Sequence, residues 1–207
     1  MTPALALEAL MLHPRYEELM AHVRAHTPTG HVDQVDAAAD DALRLMTTVG
    51  RAAYDGHQRH HPTTADVPGW LRLGLLDTLT AWVDGQAVTC RHQPTPDRPQ
   101  PIVAAAWRPR LVVCSRCVHL TALARGSARD RTCDACGRVC AGVEHGDGVY
   151  PGMVQLGPLV YQYGTCDGCR PPAVDSHPVT AGRPVPGSGR SKPRGARGRG
   201  RGRGARR

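Results

Sequence analysis

The sequence predicts an α+β chain: an N-terminal helical domain (1–86), a Pro-rich linker (87–101), a small Cys-rich, zinc-binding domain with short β-strands (102–170) and a disordered basic C-terminal tail (171–207). Three observations predict it. Apolar residues recur at helical spacing through residues 1–86. Beyond residue 101 the apolar runs are short and end in turn residues or cysteine pairs. From residue 170 the chain is rich in Pro, Gly and Arg, with few apolar groups to offset the entropy of ordering.

The helical elements follow in order. Leu5, Leu7, Leu10, Met11 and Leu12 form a short apolar segment that stops near His13-Pro14. Tyr16, Leu19, Met20 and Val23 fall at i, i+3, i+4 and i+7, which predicts a helix over about 14–26, closed by a loop at 27–30. Val32, Val35, Ala39, Leu43, Met46, Val49 and Ala53 predict a longer helix ending around Asp55-Gly56. A loop containing His57, His60 and His61 follows. Pro68 suits the first turn of a last helix, with Trp70, Leu71, Leu73, Leu76, Leu79 and Trp82 as its apolar face and Asp84-Gly85 at its end.

The texture changes at 93–101, where repeated prolines exclude a helix because each removes an N–H and restrains its predecessor. The apolar runs 102–107, 111–113 and 159–163 read as strands.

The formal net charge of +8 is unevenly distributed. Ten positive residues and no acid lie from Arg183 onward, so of 26 basic residues 16 remain in 1–182 against 18 acids, a net of −2. An argument from overall charge is therefore an argument about the tail. Phe is absent and Lys192 is the only lysine, the bias of a high-GC, bacterial-like composition. No secretory signal and no membrane-length apolar run is seen, so a cytoplasmic, reducing compartment is expected, with no membrane partner. In such a compartment eight cysteines read as metal ligands before disulfides.

Three Cys-x-x-Cys pairs are present, Cys114/Cys117, Cys133/Cys136 and Cys166/Cys169, leaving Cys90 and Cys140. A two-residue spacer lets one tight turn present both sulfurs to a single ion at ~2.3 Å. Gly137, directly after Cys136, and Gly168, inside the third pair, suit such turns. The first two pairs are 15 residues apart, a C-x₂-C-x₁₅-C-x₂-C zinc spacing. On these residues 102–170 resembles the zinc ribbons, in which two strand-fed knuckles clamp one Zn²⁺; the resemblance implies a structural class and no particular activity. The third pair leaves the ion count at one or two. Cys90 and His92 add a fourth pair, so eight ligands are on hand for two tetrahedral sites. They can fill as 114/117 with 133/136, sequentially as 90/92 with 114/117 and 133/136 with 166/169, or in a crossed order. His119, Cys140 and His145 are spare candidates, Cys140 reading first as a buried thiol. Arg116, Arg131 and Arg138 lie beside cysteines and suit charge compensation first, phosphate contact second.

His22 and His26 are spaced i, i+4, but no His-Glu-x-x-His accompanies them, and neither a phosphate loop nor a nucleophile elbow is found, so no small-molecule substrate is evident. The tail repeats Arg-Gly, and Arg194, Arg197, Arg199, Arg201, Arg203, Arg206 and Arg207 can hold nucleic-acid phosphates without sequence specificity. The expected function is a non-enzymatic, zinc-binding accessory or regulatory protein contacting nucleic acid through this tail. The alternatives are a zinc-stabilised adaptor for a protein partner, favoured by the net acidic body, and an enzyme using a Cys or zinc site.

Overall fold

A computed structural model of the chain describes residues 2–53 and 64–170, with side chains omitted at 51–53. The expectations for the His57, His60 and His61 loop, and those for the tail from 171 onward, lie outside the described residues. No described helix is long and apolar enough to cross a membrane. Among the described residues the architecture is α+β: four α-helices, α1 (Pro3–Met11), α2 (Tyr16–His26), α3 (Thr29–Ala53) and α4 (Gly69–Val83), then five strands with short 3₁₀ turns.

α1 starts at a side-chain cap, whereas α2 and α4 start without one. The Thr2 hydroxyl accepts the Leu5 N–H at 3.4 Å and Pro3 follows at the first helical position. α2 buries nothing; its Arg24 pairs with Asp36 of α3 at 2.5 Å. α3 buries Ala38 and Ala42, small residues that admit a close approach to the sheet. α4 buries Leu71, Leu75, Leu76, Thr78, Ala81 and Trp82. Arg72 donates to Glu8 at 2.6 Å and tethers α4 to α1.

The strands are β1 (Val88–Thr89), β2 (Ile102–Ala105), β3 (Arg108–Cys114), β4 (Val149–Leu156) and β5 (Leu159–Cys166), in one sheet of order β1-β3-β2-β5-β4. β2–β3 and β4–β5 are antiparallel hairpins; β2 joins β5 in parallel and β1 joins β3 in parallel. Period-2 alternation sends the two faces to different helices. Ile102, Ala104, Val112, Leu159 and Tyr161 pack with Leu71, Leu75, Leu76 and Trp82 of α4. Val103, Val113 and Val160 pack with Ala42 of α3. The sheet is thus a central layer with α1 and α4 on one side and α3 on the other.

Two strand expectations are corrected. The run 102–107 is a strand only to Ala105, because Ala106-Trp107 form the turn into β3. β4 went unanticipated because Pro151-Gly152 interrupt it; β4 is an edge strand, where the missing proline N–H costs no ladder bond.

Candidate metal centres

The first cluster joins Cys90, His92, Cys114 and Cys117, whose ligand atoms all lie within 4.8 Å of one another. Strand register assembles it. Thr89 sits opposite Val112, so the residue after β1 emerges beside the end of β3, where Cys114 is the last strand residue. Cys117 follows on the 3₁₀ turn Ser115–Thr121. Beyond Cys90 the chain turns, with Gln93 N–H donating to the Cys90 carbonyl at 2.8 Å, and the Trp82 indole N–H then grips the Pro94 carbonyl at 2.8 Å. The three sulfurs are buried and His92 is exposed.

The second cluster joins Cys133, Cys136, Cys166 and Cys169, again within 4.8 Å. Cys133 and Cys136 sit on a tight knuckle. Gly137 N–H donates to the Cys133 carbonyl at 2.9 Å, and Cys133 N–H to the Arg138 carbonyl at 2.8 Å. Gly137 has φ +74, a conformation that favours glycine. Asp134 staples this knuckle to β5: its N–H donates to the Gly164 carbonyl at 2.8 Å, and its carboxylate accepts the Gly164 N–H at 2.7 Å. Cys166 closes β5 and Cys169 ends the 3₁₀ turn Asp167–Cys169.

The spacing of the donor atoms matches tetrahedral coordination. With metal–sulfur bonds of ~2.3 Å, the sulfur–sulfur edge is about 3.8 Å, and with a metal–nitrogen bond of ~2.0 Å the nitrogen–sulfur edge is about 3.5 Å. Cys90 and Cys114 sulfurs are 3.8 Å apart, and those of Cys136 and Cys166 are 3.9 Å apart. His92 Nδ1 lies 3.2 Å from the Cys117 sulfur and 3.5 Å from that of Cys114. A disulfide would need about 2.05 Å.

The thiol acidities carry the same message. Burial raises the Cys133 pKa, but N–H groups of Cys166, Cys136 and Ala135 aimed at its sulfur outweigh that and bring it down to about 7. Cys169, hydrogen-bonded to the Cys136 and Cys166 sulfurs, is pushed up to about 12. In the first cluster burial raises Cys90, and the N–H groups of Cys114 and His92 bring it below its ordinary value. Cys117 rises to about 11, first from burial and then from its Cys114 and Cys90 neighbours. Crowded thiols resist joint ionisation; a cation among them removes that resistance. Each cluster can therefore hold a metal ion.

The structure brings together all eight predicted ligands, in the sequential grouping. It corrects the ribbon pairing of Cys114/Cys117 with Cys133/Cys136. Cys114 pairs with Ile102, and Ile102 with Leu159, whereas Cys166 lies seven residues further along β5. At ~3.3 Å per residue the clusters are about 23 Å apart, at opposite ends of the sheet. Cys140 belongs to neither cluster; it is a buried thiol packed with Cys133 and Cys166. His119 and His145 join no cluster among the described residues. The His22 and His26 rings lie 4.2 Å apart on α2, tilted by 41°, far in sequence from either cluster. Arg138 forms a two-point pair with Asp147 at 3.1 and 2.6 Å. The positioning residues Asp134 and Trp82 were missed: Asp134 had the signal of its place inside the second Cys-x-x-Cys, while Trp82 read only as part of an apolar face. Comparison with protein-family models, curated proteins and solved structures returned no match.

Proposed function

We propose that the chain is a zinc-stabilised, non-catalytic accessory protein that binds nucleic acid, with its Arg/Gly tail supplying salt-sensitive contact to phosphates. One observation carries the non-catalytic reading: each cluster offers four ligand atoms within 4.8 Å, a complete tetrahedral set. Structural zinc sites are closed in this way, whereas catalytic ones keep a position for water or substrate. Zinc is favoured over an iron–sulfur cluster because the first set is Cys₃His and each set's four ligand atoms lie within 4.8 Å of one another, the span of a single ion. The nucleic-acid part rests on the arginines from Arg194 to Arg207, which stand in a segment without acids.

Metal analysis of the purified full chain is expected to return two zinc ions per molecule, and replacing the tail arginines with glutamine to flatten the salt dependence of nucleic-acid binding. Iron in place of zinc, or a salt dependence untouched by the tail substitutions, would sink the corresponding half of this reading.

A further inference from the structure

The folded part of the chain has its own charge segregation. Residues 2–86 carry 11 acids and six arginines, whereas residues 87–131 carry eight arginines against Asp97 and Asp130 alone. The structure sharpens the contrast. On the helices Arg15, Arg24, Arg44 and Arg72 each pair with a carboxylate. Among the described residues of 87–131, only Arg129 does so, with Asp134. An arginine cluster without carboxylate partners raises local positive potential and leaves guanidinium donors for an external anion.

Several of these residues gather at one end of the sheet. Trp107 N–H donates to the Thr121 carbonyl at 2.6 Å and Arg108 to the Ala122 carbonyl at 3.4 Å, so the β2–β3 turn lies against the segment that leads to Arg125. Beside them a cleft of about 210 Å³ opens, walled by Trp107, Leu123, Val149 and Tyr163, with the Arg129–Asp134 pair and Asp130, whose carboxylate accepts the Gly126 N–H, also in its lining. Arg125 lies two residues beyond Leu123 and Arg131 immediately before Thr132; both are exposed, as are Arg108 and Arg110. Arg110 also holds φ +63, a left-handed backbone that a glycine would adopt more cheaply, yet arginine occupies it. Trp107 has committed its N–H to the protein, so what it offers a ligand is its ring. An aromatic-walled cleft beside arginines that have no carboxylate partner is the chemistry that binds a single nucleic-acid strand: guanidinium groups on phosphates and a base against the ring.

We infer that this end of the sheet is a second nucleic-acid contact, in which Arg108, Arg110, Arg125 and Arg131 hold the backbone of a single strand and Trp107 stacks one base. It shares the nucleic-acid partner of the proposed function but not its reliance on the tail.

The test uses the zinc-loaded full chain and a labelled oligothymidylate, with its duplex for comparison, between about 50 and 200 mM salt. Three variants are compared: R108Q/R110Q/R125Q/R131Q, Trp107→Leu, and a chain with glutamine at the seven tail arginines. Each single-strand phosphate contact contributes about 0.7 to the log–log salt slope, so the four-residue variant should lose about 3 from it. Trp107→Leu should weaken single-strand binding about tenfold while Trp107→Phe, which keeps a ring, restores it. Unchanged zinc content and far-ultraviolet dichroism report that each variant is folded. If the four-residue and Trp107→Leu variants bind as the parent does and only the tail variant loses affinity, this surface is refuted and the tail reading stands. Loss in the four-residue variant with none in the tail variant would do the reverse, and no loss in any would remove both. Equal losses on strand and duplex with Trp107→Leu would overturn base stacking.

Discussion

His92 is the one ligand that is both exposed and not a thiol, and that sets how the first centre should respond to substitution. Its Nδ1 approaches two sulfurs at 3.2 and 3.5 Å, so it occupies one corner of the tetrahedron without helping to bury it. Removing the imidazole leaves three buried thiolates that hold a metal less well and that must take up protons when it leaves. His92→Ala is expected to reduce the zinc content from two ions to one, and Cys136→Ser to do the same at the other centre, while each leaves its neighbour intact. Metal counting on the two single variants and the double variant checks this; the losses should add, because sites separated by well over 10 Å couple weakly. A cooperative loss of both ions in either single variant would contradict it. Acid should release the metal from both centres, since every thiolate ligand must take up a proton as the pH falls.

At the scale of elements, the order and type of the helices were legible because their apolar residues repeat at helical spacing, from Tyr16, Leu19, Met20 and Val23 to the stripe on α4. The ligand residues were legible because Cys-x-x-Cys pairs recurring at these spacings are a metal-ligand signature. The grouping of the ligands was not, because it depends on strand register: Thr89 opposite Val112, and β2 parallel to β5, are tertiary facts with no local signature. For the same reason the contribution of 87–101 was only half visible. Its prolines spoke of a linker, yet Cys90 is buried and Pro94 is held by the Trp82 indole at 2.8 Å. Trp82→Phe tests that anchor. It leaves a buried carbonyl without its donor, a cost of about 1–3 kcal/mol. Thermal melting should fall accordingly, and a chelator competition should find the first centre weakened with the second unaffected. Equal weakening of both centres would mean that Trp82 supports the whole core and not the ligand segment.

For the whole molecule the question is what ions in the two clusters would hold together. The apolar centre of the sheet, from Ile102 and Val112 to Leu159 and Tyr161, is covered by α1 and α4, and its opposite face by α3. Those contacts contain no metal ligand in the first core and are continuous across β2, β3 and β5. Ions held in the two clusters would instead close the two ends: the first would tie the chain after β1 to the end of β3, and the second would tie the 133–136 knuckle to the end of β5. A small domain whose core is its metal site unfolds when the metal leaves. Here the helices cover an apolar layer that persists, so chelation should loosen the ends before it dissolves the centre. In hydrogen exchange on the chelated full chain, amides of 115–121 and 133–140 are expected to lose protection, while those of β2 and β5 next to Val103 and Val160 keep most of theirs. The helical dichroism should survive at room temperature with a lower melting point, because bound metal stabilises the folded state by mass action. Loss of the helical signal in step with zinc release would instead make the ions the foundation of the entire fold, and the apolar layer between the helices insufficient to stand without them.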